Sequence, residues 1–163
     1  MMACVWIPLA CWAEALPLTS AKTLSDKRVV LPDAVRGHVA VIVIGFRHAS
    51  RNRSAEWGKR LEQQFAGSDV TCYEAAMLQD VPRLMRGMVV SSIRKGVPAA
   101  QHDRFLVLLE KEDEWKKLAK FSEGDAAYVL LVARDGNVVW TTHAKMDEPQ
   151  VAELQKQIAL LRK

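Results

Sequence analysis

Cysteine is scarce in this chain. Three occur in 163 residues, and Cys4 and Cys11 both fall in the first eleven, leaving Cys72 alone in the remainder. If the N-terminal segment is removed on maturation, no intramolecular disulfide can form, which excludes a stapled secreted scaffold. Proline is missing from residue 99 to residue 148. The four histidines, His38, His48, His102 and His143, show no HxH, HxxxH or paired Cys/His spacing, so a metal centre is not expected. No stretch approaches the ~20 apolar residues of a membrane span. The surplus of base over acid is small, with 23 Lys and Arg against 19 Asp and Glu, a net charge of +4 and a pI near 9.1. Acidic and basic residues share the same segments, and neither a basic run nor an aromatic-interleaved groove marks a nucleic-acid binder.

What is present starts with MMACVWIPLACWAEA. Residues 1–15 are apolar, carry no acid before Glu14, and close on small residues at Ala13 and Ala15. This is the pattern of the end of a secretory signal peptide, without its basic n-region. It leads us to expect export to the periplasm or beyond, with cleavage after Ala13 or Ala15 and one domain over 16–163. Leu9-Ala10-Cys11 offers a lipid-anchor alternative that Pro8 disfavours.

Along the rest of the chain, apolar periodicity predicts alternating elements. A polar lead precedes Val29 to Leu31, an edge strand ended by Pro32. HVAVIVIGF, residues 38–46, is a continuous β-branched run that suits a central parallel strand. Trp57, Leu61 and Phe65 form one helical stripe that stops at Gly67. DVTCYEAAML predicts a second strand. Asp80 then caps a helix with Pro82 in its first turn and Val81, Met85, Met88, Val89, Ser92 and Ile93 on one face, ended by Gly96 and Pro98. FLVLLE predicts a third strand, followed by a charged helix with Trp115, Leu118 and Ala119 inward. AAYVLLVA and NVVWTTHA flank Asp135-Gly136 as a hairpin. Asp147 and Gln150 cap a final helix through Val151, Leu154, Ile158 and Leu161.

Alternation of strands and helices, closed by a hairpin and a helix, predicts an α/β fold with a central mixed sheet and helices on both faces. The order resembles the thioredoxin fold over residues 20–163. RGHVAVIVIGF followed by Trp57 resembles the strand leading into the active-site helix of redoxins and periplasmic thioredoxin-like proteins, and YVLLVARDGNVVW is similar to their hairpin. DGNVVWTTHAKMDEPQVAEL also resembles mitochondrial ATP-synthase assembly factors of thioredoxin-like fold.

The resemblance implies a Cys-x-x-Cys at the start of the first long helix, where the dipole and free N–H groups lower a thiol's pKa. Those positions are Arg51 and Ser54 here. It also implies a cis-proline before the hairpin's first strand, a position held by Ala127. A cis bond there would cost roughly 3 kcal/mol without proline. With both landmarks absent, we expect a binding or assembly module without thiol chemistry, without a cofactor and with a protein partner. The alternative is a redox-related or small-anion-acting enzyme using Cys72 or the Arg47/Arg51/Arg53 turn.

Two further expectations concern that turn. Arg47, His48, Ser50, Arg51 and Arg53 could grip an anion or a partner's carboxylates. The plainer reading, which we favour, is a solvated turn neutralised by Glu56 or by acids across the crevice, with Ser50 and Ser54 as helix N-caps. Cys72, inside a strand, is expected to behave as a small buried hydrophobe.

Overall fold

The computed structural model describes residues 13–163. Eight strands form one sheet in the order β1-β8-β7-β4-β5-β6-β2-β3. They are β1 (Glu14–Ala15), β2 (Thr19–Thr23), β3 (Arg28–Leu31), β4 (Val39–Gly45), β5 (Val70–Met77), β6 (Phe105–Leu108), β7 (Ala127–Val132) and β8 (Asn137–Thr142). The helices are α1 (Arg51–Phe65), α2 (Arg83–Gly96), α3 (Glu112–Ala119) and α4 (Glu148–Leu161). Strands β4, β5 and β6 are parallel, joined by helical crossovers, and every other pairing is antiparallel. The fold class is the expected one: α/β and thioredoxin-like.

Burial explains the centre of the sheet. Residues 39 to 44 are all buried because β4 has helices on both faces. Its even positions, Ala40, Ile42 and Ile44, join Trp115, Leu118 and Tyr128 in one core; its odd positions, Val39, Val41 and Val43, join Trp57, Leu61, Leu154 and Ile158 in another. The indole N–H groups are satisfied, that of Trp57 by the Ala144 carbonyl at 3.1 Å and that of Trp115 by Thr19 Oγ1 at 3.1 Å. The Asp135-Gly136 turn closes the hairpin, with Gly136 at φ 86° and the Asp135 carboxylate accepting from the Asn137 amide at 2.9 Å. At α4, Asp147 caps as expected, accepting from the Gln150 amide at 2.8 Å.

Several local expectations need correction. The polar lead contains β2, whose Thr19, Ala21 and Thr23 point inward while Ser20 and Lys22 face out. Glu14 and Ala15, inside the leader-like stretch, pair with Val138 and Asn137 of β8; residues 1–12, including Cys4 and the Cys11 position, lie outside the described residues. Asp80 does not cap α2. Pro82 directly precedes the helix in an extended conformation, φ −52° and ψ 136°, which places Asp80 too far back, and its carboxylate turns to Arg47 instead. Met85 and Met88 are exposed, because the face of α2 turned to the sheet carries Val89, Val90 and Ile93, with Val81 and Val97 at its flanks. A 3-10 turn over Ala99–Arg104, which the sequence reading lacked, leads into β6.

Candidate functional site

The crevice beyond the carboxyl ends of β4, β5 and β6 is where a sheet of this kind presents side chains for chemistry. The 3-10 turn His48–Ser50 runs straight from the end of β4 into α1. Ser50 is at the helix-capping position but has helical torsions, φ −82° and ψ −5°, and its hydroxyl donates back to the Arg47 carbonyl at 2.7 Å. Ser54 sits one turn further on. Neither serine caps the helix, because the chain enters α1 already coiled and leaves their hydroxyls pointing inward.

Both hydroxyls press on the end of β4. A Cβ at Gly45 would lie 2.5 Å from Ser50 Oγ and 3.0 Å from Ser54 Oγ, so only glycine fits there. Ser54 Oγ is buried without a hydrogen-bond partner. On the other side of Gly45, directly opposite in register, is Ala127, the position expected to carry the cis-proline. The structure thus brings Ser54 and Ala127 to either side of the same glycine. Among the described residues the one cis peptide is Leu31–Pro32, so the bond preceding Ala127 is trans.

Two of the three arginines are neutralised by acids across the crevice. Arg47 donates to the Phe46 carbonyl at 2.8 Å and to Glu112 Oε1 at 2.6 Å, and stands 3.3 Å from Asp80. Arg53 pairs with Asp125 at 3.0 Å and stands 3.9 Å from Glu123. Arg51 is exposed and reaches the last turn of α2, lying so close over Gly96 that a Cβ there would collide with its guanidinium. His48 is exposed, and no carboxylate pairs with it or with Arg51 among the described residues. Glu56 pairs with none of the arginines.

The acids that answer Arg47 and Arg53 come from segments that packing holds rigid. Glu112 opens α3, with its side chain only 4% exposed, and also pairs with Lys116 at 2.7 Å. Burial pushes its pKa up, but hydrogen bonds from Lys116 and Arg47 outweigh burial and hold the carboxyl below its ordinary range. Its Oε2 is buried without a partner. Glu123 and Asp125 belong to a loop pinned by Tyr128, whose hydroxyl accepts from the Ser122 and Glu123 amides at 2.8 Å each. Phe46 meets Tyr128 edge-on at a centroid distance of 5.5 Å, tying that loop to the end of β4.

Cys72 is far from this crevice. It lies mid-strand in β5, opposite Val41, and burial pushes its thiol up to about 12. A thiol so raised is almost wholly protonated at neutral pH and is a poor nucleophile. The described residues contain no group of three or more His, Cys, Asp or Glu able to hold a metal.

Sequence reasoning missed Glu112, Asp80, Glu123 and Asp125 as partners of the turn, since separations of 33 to 72 residues leave no local signal. It also missed Glu74. That residue is on β5, two positions beyond Cys72 on the same face, in a cleft of about 460 Å³ between α1 and the 99–104 turn. Burial raises its carboxyl to about 7.

The family model for ATP10 protein, the ATP-synt_10 family, matches residues 12–161. The chain belongs to the ATP10 family. The likeness to assembly factors read from residues 135–154 therefore extends along nearly the whole chain. No curated protein matches this family member in sequence. Among solved structures it is similar to BsSco of the Sco family of cytochrome c oxidase assembly proteins, at 14% identity and TM-score 0.59, covering 89% of this chain and 92% of that one. Arabidopsis thaliana ScoI with copper bound gives 16% and 0.58, over 91% and 99%. A thiol:disulfide interchange protein of the thioredoxin family from Chlorobium tepidum gives 11% and 0.55, over 89% and 95%. At these identities the solved structures show a shared thioredoxin-like fold.

Proposed function

We propose that this ATP10 family member works in assembly by holding a protein partner rather than by exchanging disulfides, and that the partner is a subunit of an ATP synthase under construction. The observation that carries the reading is the content of the strand-end crevice. Arg51 and Ser54 stand where the fold's thiol pair is expected, Ala127 stands at the cis-proline position, and the one thiol among the described residues is Cys72, half-buried in the middle of β5 and away from the crevice. The same crevice leaves Arg51 and His48 exposed beside a neutralised scaffold of ion pairs. Such a surface suits carboxylates of a partner segment: Arg51 supplies a guanidinium fork, and Arg47 and Arg53 keep the turn in place.

Deletion of the gene in the native host should lower assembled ATP synthase, and a variant with Cys4, Cys11 and Cys72 all changed to serine should restore it in full. A cysteine-free chain that folds, by circular dichroism, yet fails to restore assembly would overturn the reading. Purified protein should not accelerate reduction of insulin disulfides by dithiothreitol. Arg51→Ala should weaken co-purification with the partner without altering stability by more than about 0.5 kcal/mol, as for other exposed side chains. We place the protein in an exported compartment, on the leader-like residues 1–15. Recovery of full-length chain from the cytosolic fraction alone would remove that part of the proposal.

A further inference from the structure

Glu74 differs from every other carboxylate whose ionisation is shifted here. Asp103 is held low by hydrogen bonds from Lys27 and Ser25, Glu112 by Lys116 and Arg47, and Glu148 by Arg60. Glu74 is shifted the other way, by burial, with no cation contributing. Among the described residues it makes no ion pair and no side-chain hydrogen bond. An uncompensated carboxylate on a largely apolar sheet face is costly, because desolvation disfavours its charged form.

The surroundings are shaped around that carboxylate. Gly58 sits in the middle of α1, where glycine is the poorest helix former but proline, and a Cβ there would come within 2.6 Å of Glu74 Oε2. The glycine makes room for the acid, and the cleft keeps the acid within reach of solvent. Val43, Leu61 and Phe105 line its apolar parts, and Glu62 and Gln101 hydrogen-bond to each other across its walls. Asp103, from the 99–104 turn, is already engaged by Lys27. The one lining cation, Arg104, acts on Cys72 and Tyr73 and not on Glu74.

We propose that this cleft binds an alkylammonium or guanidinium group on an apolar stem, the end of a lysine or arginine side chain presented by a partner protein, with Glu74 as its counter-ion. The stem would lie on Leu61 and Phe105 and the cation would meet the Glu74 carboxylate, with Glu62 adding negative potential at the wall. The site is separate from the arginine-rich turn, and its test does not depend on what that turn binds.

The test uses the full chain carrying ¹³C-labelled glutamate and three probes: butylammonium, its neutral counterpart butanol, and a blocked tripeptide with a central lysine. Butylammonium and the tripeptide should move the Glu74 carboxyl resonance saturably and shift its titration midpoint downward, since a bound cation favours the ionised acid. Binding should be at least tenfold tighter at about pH 8 than at about pH 5, where Glu74 carries its proton. Glu74→Gln should abolish saturable butylammonium and tripeptide binding, read by titration calorimetry, while leaving the melting temperature undiminished. Gly58→Ala, which displaces the carboxylate, should weaken binding. Equal binding of butanol, or no movement of the Glu74 resonance at tens of millimolar amine, would overturn the proposal. Response to butylammonium but not to the tripeptide would overturn the protein side chain as the source.

Discussion

Two charged regions of this molecule follow opposite rules. At the strand-end crevice every buried charge has an answer: Glu112 is met by Arg47 and Lys116, and Arg53 by Asp125. In the cleft beside α1, Glu74 has none, although its burial raises it to about 7. The crevice is where a thioredoxin-like fold ordinarily does its chemistry, yet here its buried charges are ion-paired and only Arg51 and His48 at its surface are left unpaired among the described residues. The cleft holds an acid that no cation answers and remains electrostatically open. A charge network that is complete stabilises the chain, and one that is incomplete is available to something else.

Four measurements bear on that contrast, and the largest effect concerns the thiol that shares the cleft with Glu74. With Cys4 and Cys11 changed to serine, Cys72 should react with a thiol reagent about a thousandfold more slowly in the native than in the unfolded protein, because its thiolate population falls with the rise in pKa to about 12. Rapid native labelling would show the cleft to be far more open than its packing implies.

The next effect belongs to the crevice. Arg47→Ala should destabilise the fold by about 2 kcal/mol at neutral pH in urea unfolding, since it removes one of the two cations that meet the buried Glu112 and leaves Lys116. Glu112 has a lowered folded pKa, so the stability it contributes is present above its unfolded value and lost as pH falls through the folded one. The gap between Arg47→Ala and the parent should therefore shrink on acidification.

Glu74 should show the reverse sign. Its folded pKa is raised from 4.5 to about 7, so ionisation penalises the fold increasingly across that interval and by a constant amount above it. Glu74→Gln should stabilise by about 2 kcal/mol at about pH 8 and by almost nothing at about pH 4.5. A flat difference across pH would mean that the acid is already compensated.

The smallest effect separates the two serines beneath the crevice. Ser50→Ala removes a hydrogen bond to the Arg47 carbonyl and should cost about 1 kcal/mol, whereas Ser54→Ala removes a hydroxyl with no partner and should be neutral or slightly stabilising.

Much of the frame was legible in the sequence because its signals are local. VAVIVI, residues 39–44, is apolar at every position and forms the strand buried on both faces, Asp135-Gly136 forms the hairpin, and Asp147 caps α4. The order of elements then pointed to the fold. The site was less legible. Arginines 47, 51 and 53 were visible as a cluster, but the acids that neutralise two of them come from other elements, and only the folded chain joins them. Met85 and Met88 misled because α2 is apolar on more than one side, so periodicity alone did not choose its inward face. Glu74 could have been found: alternation along β5 puts it on the inward side with Val70 and Cys72, and Gly58 in the middle of a helix was a second clue.

Among the described residues the outer margin of β8 is covered only by β1, two residues long, with Glu14 opposite Val138 and Ala15 opposite Asn137. Unpaired amides and carbonyls along a sheet margin invite a strand from another molecule, and shortness and charge are two means by which proteins discourage it. This short ribbon uses both, so it acts as a guard against self-association. A chain cut back to Leu16 would keep its core and its charge networks, yet present a longer open margin on β8 and acquire a concentration-dependent tendency to pair with its own copies.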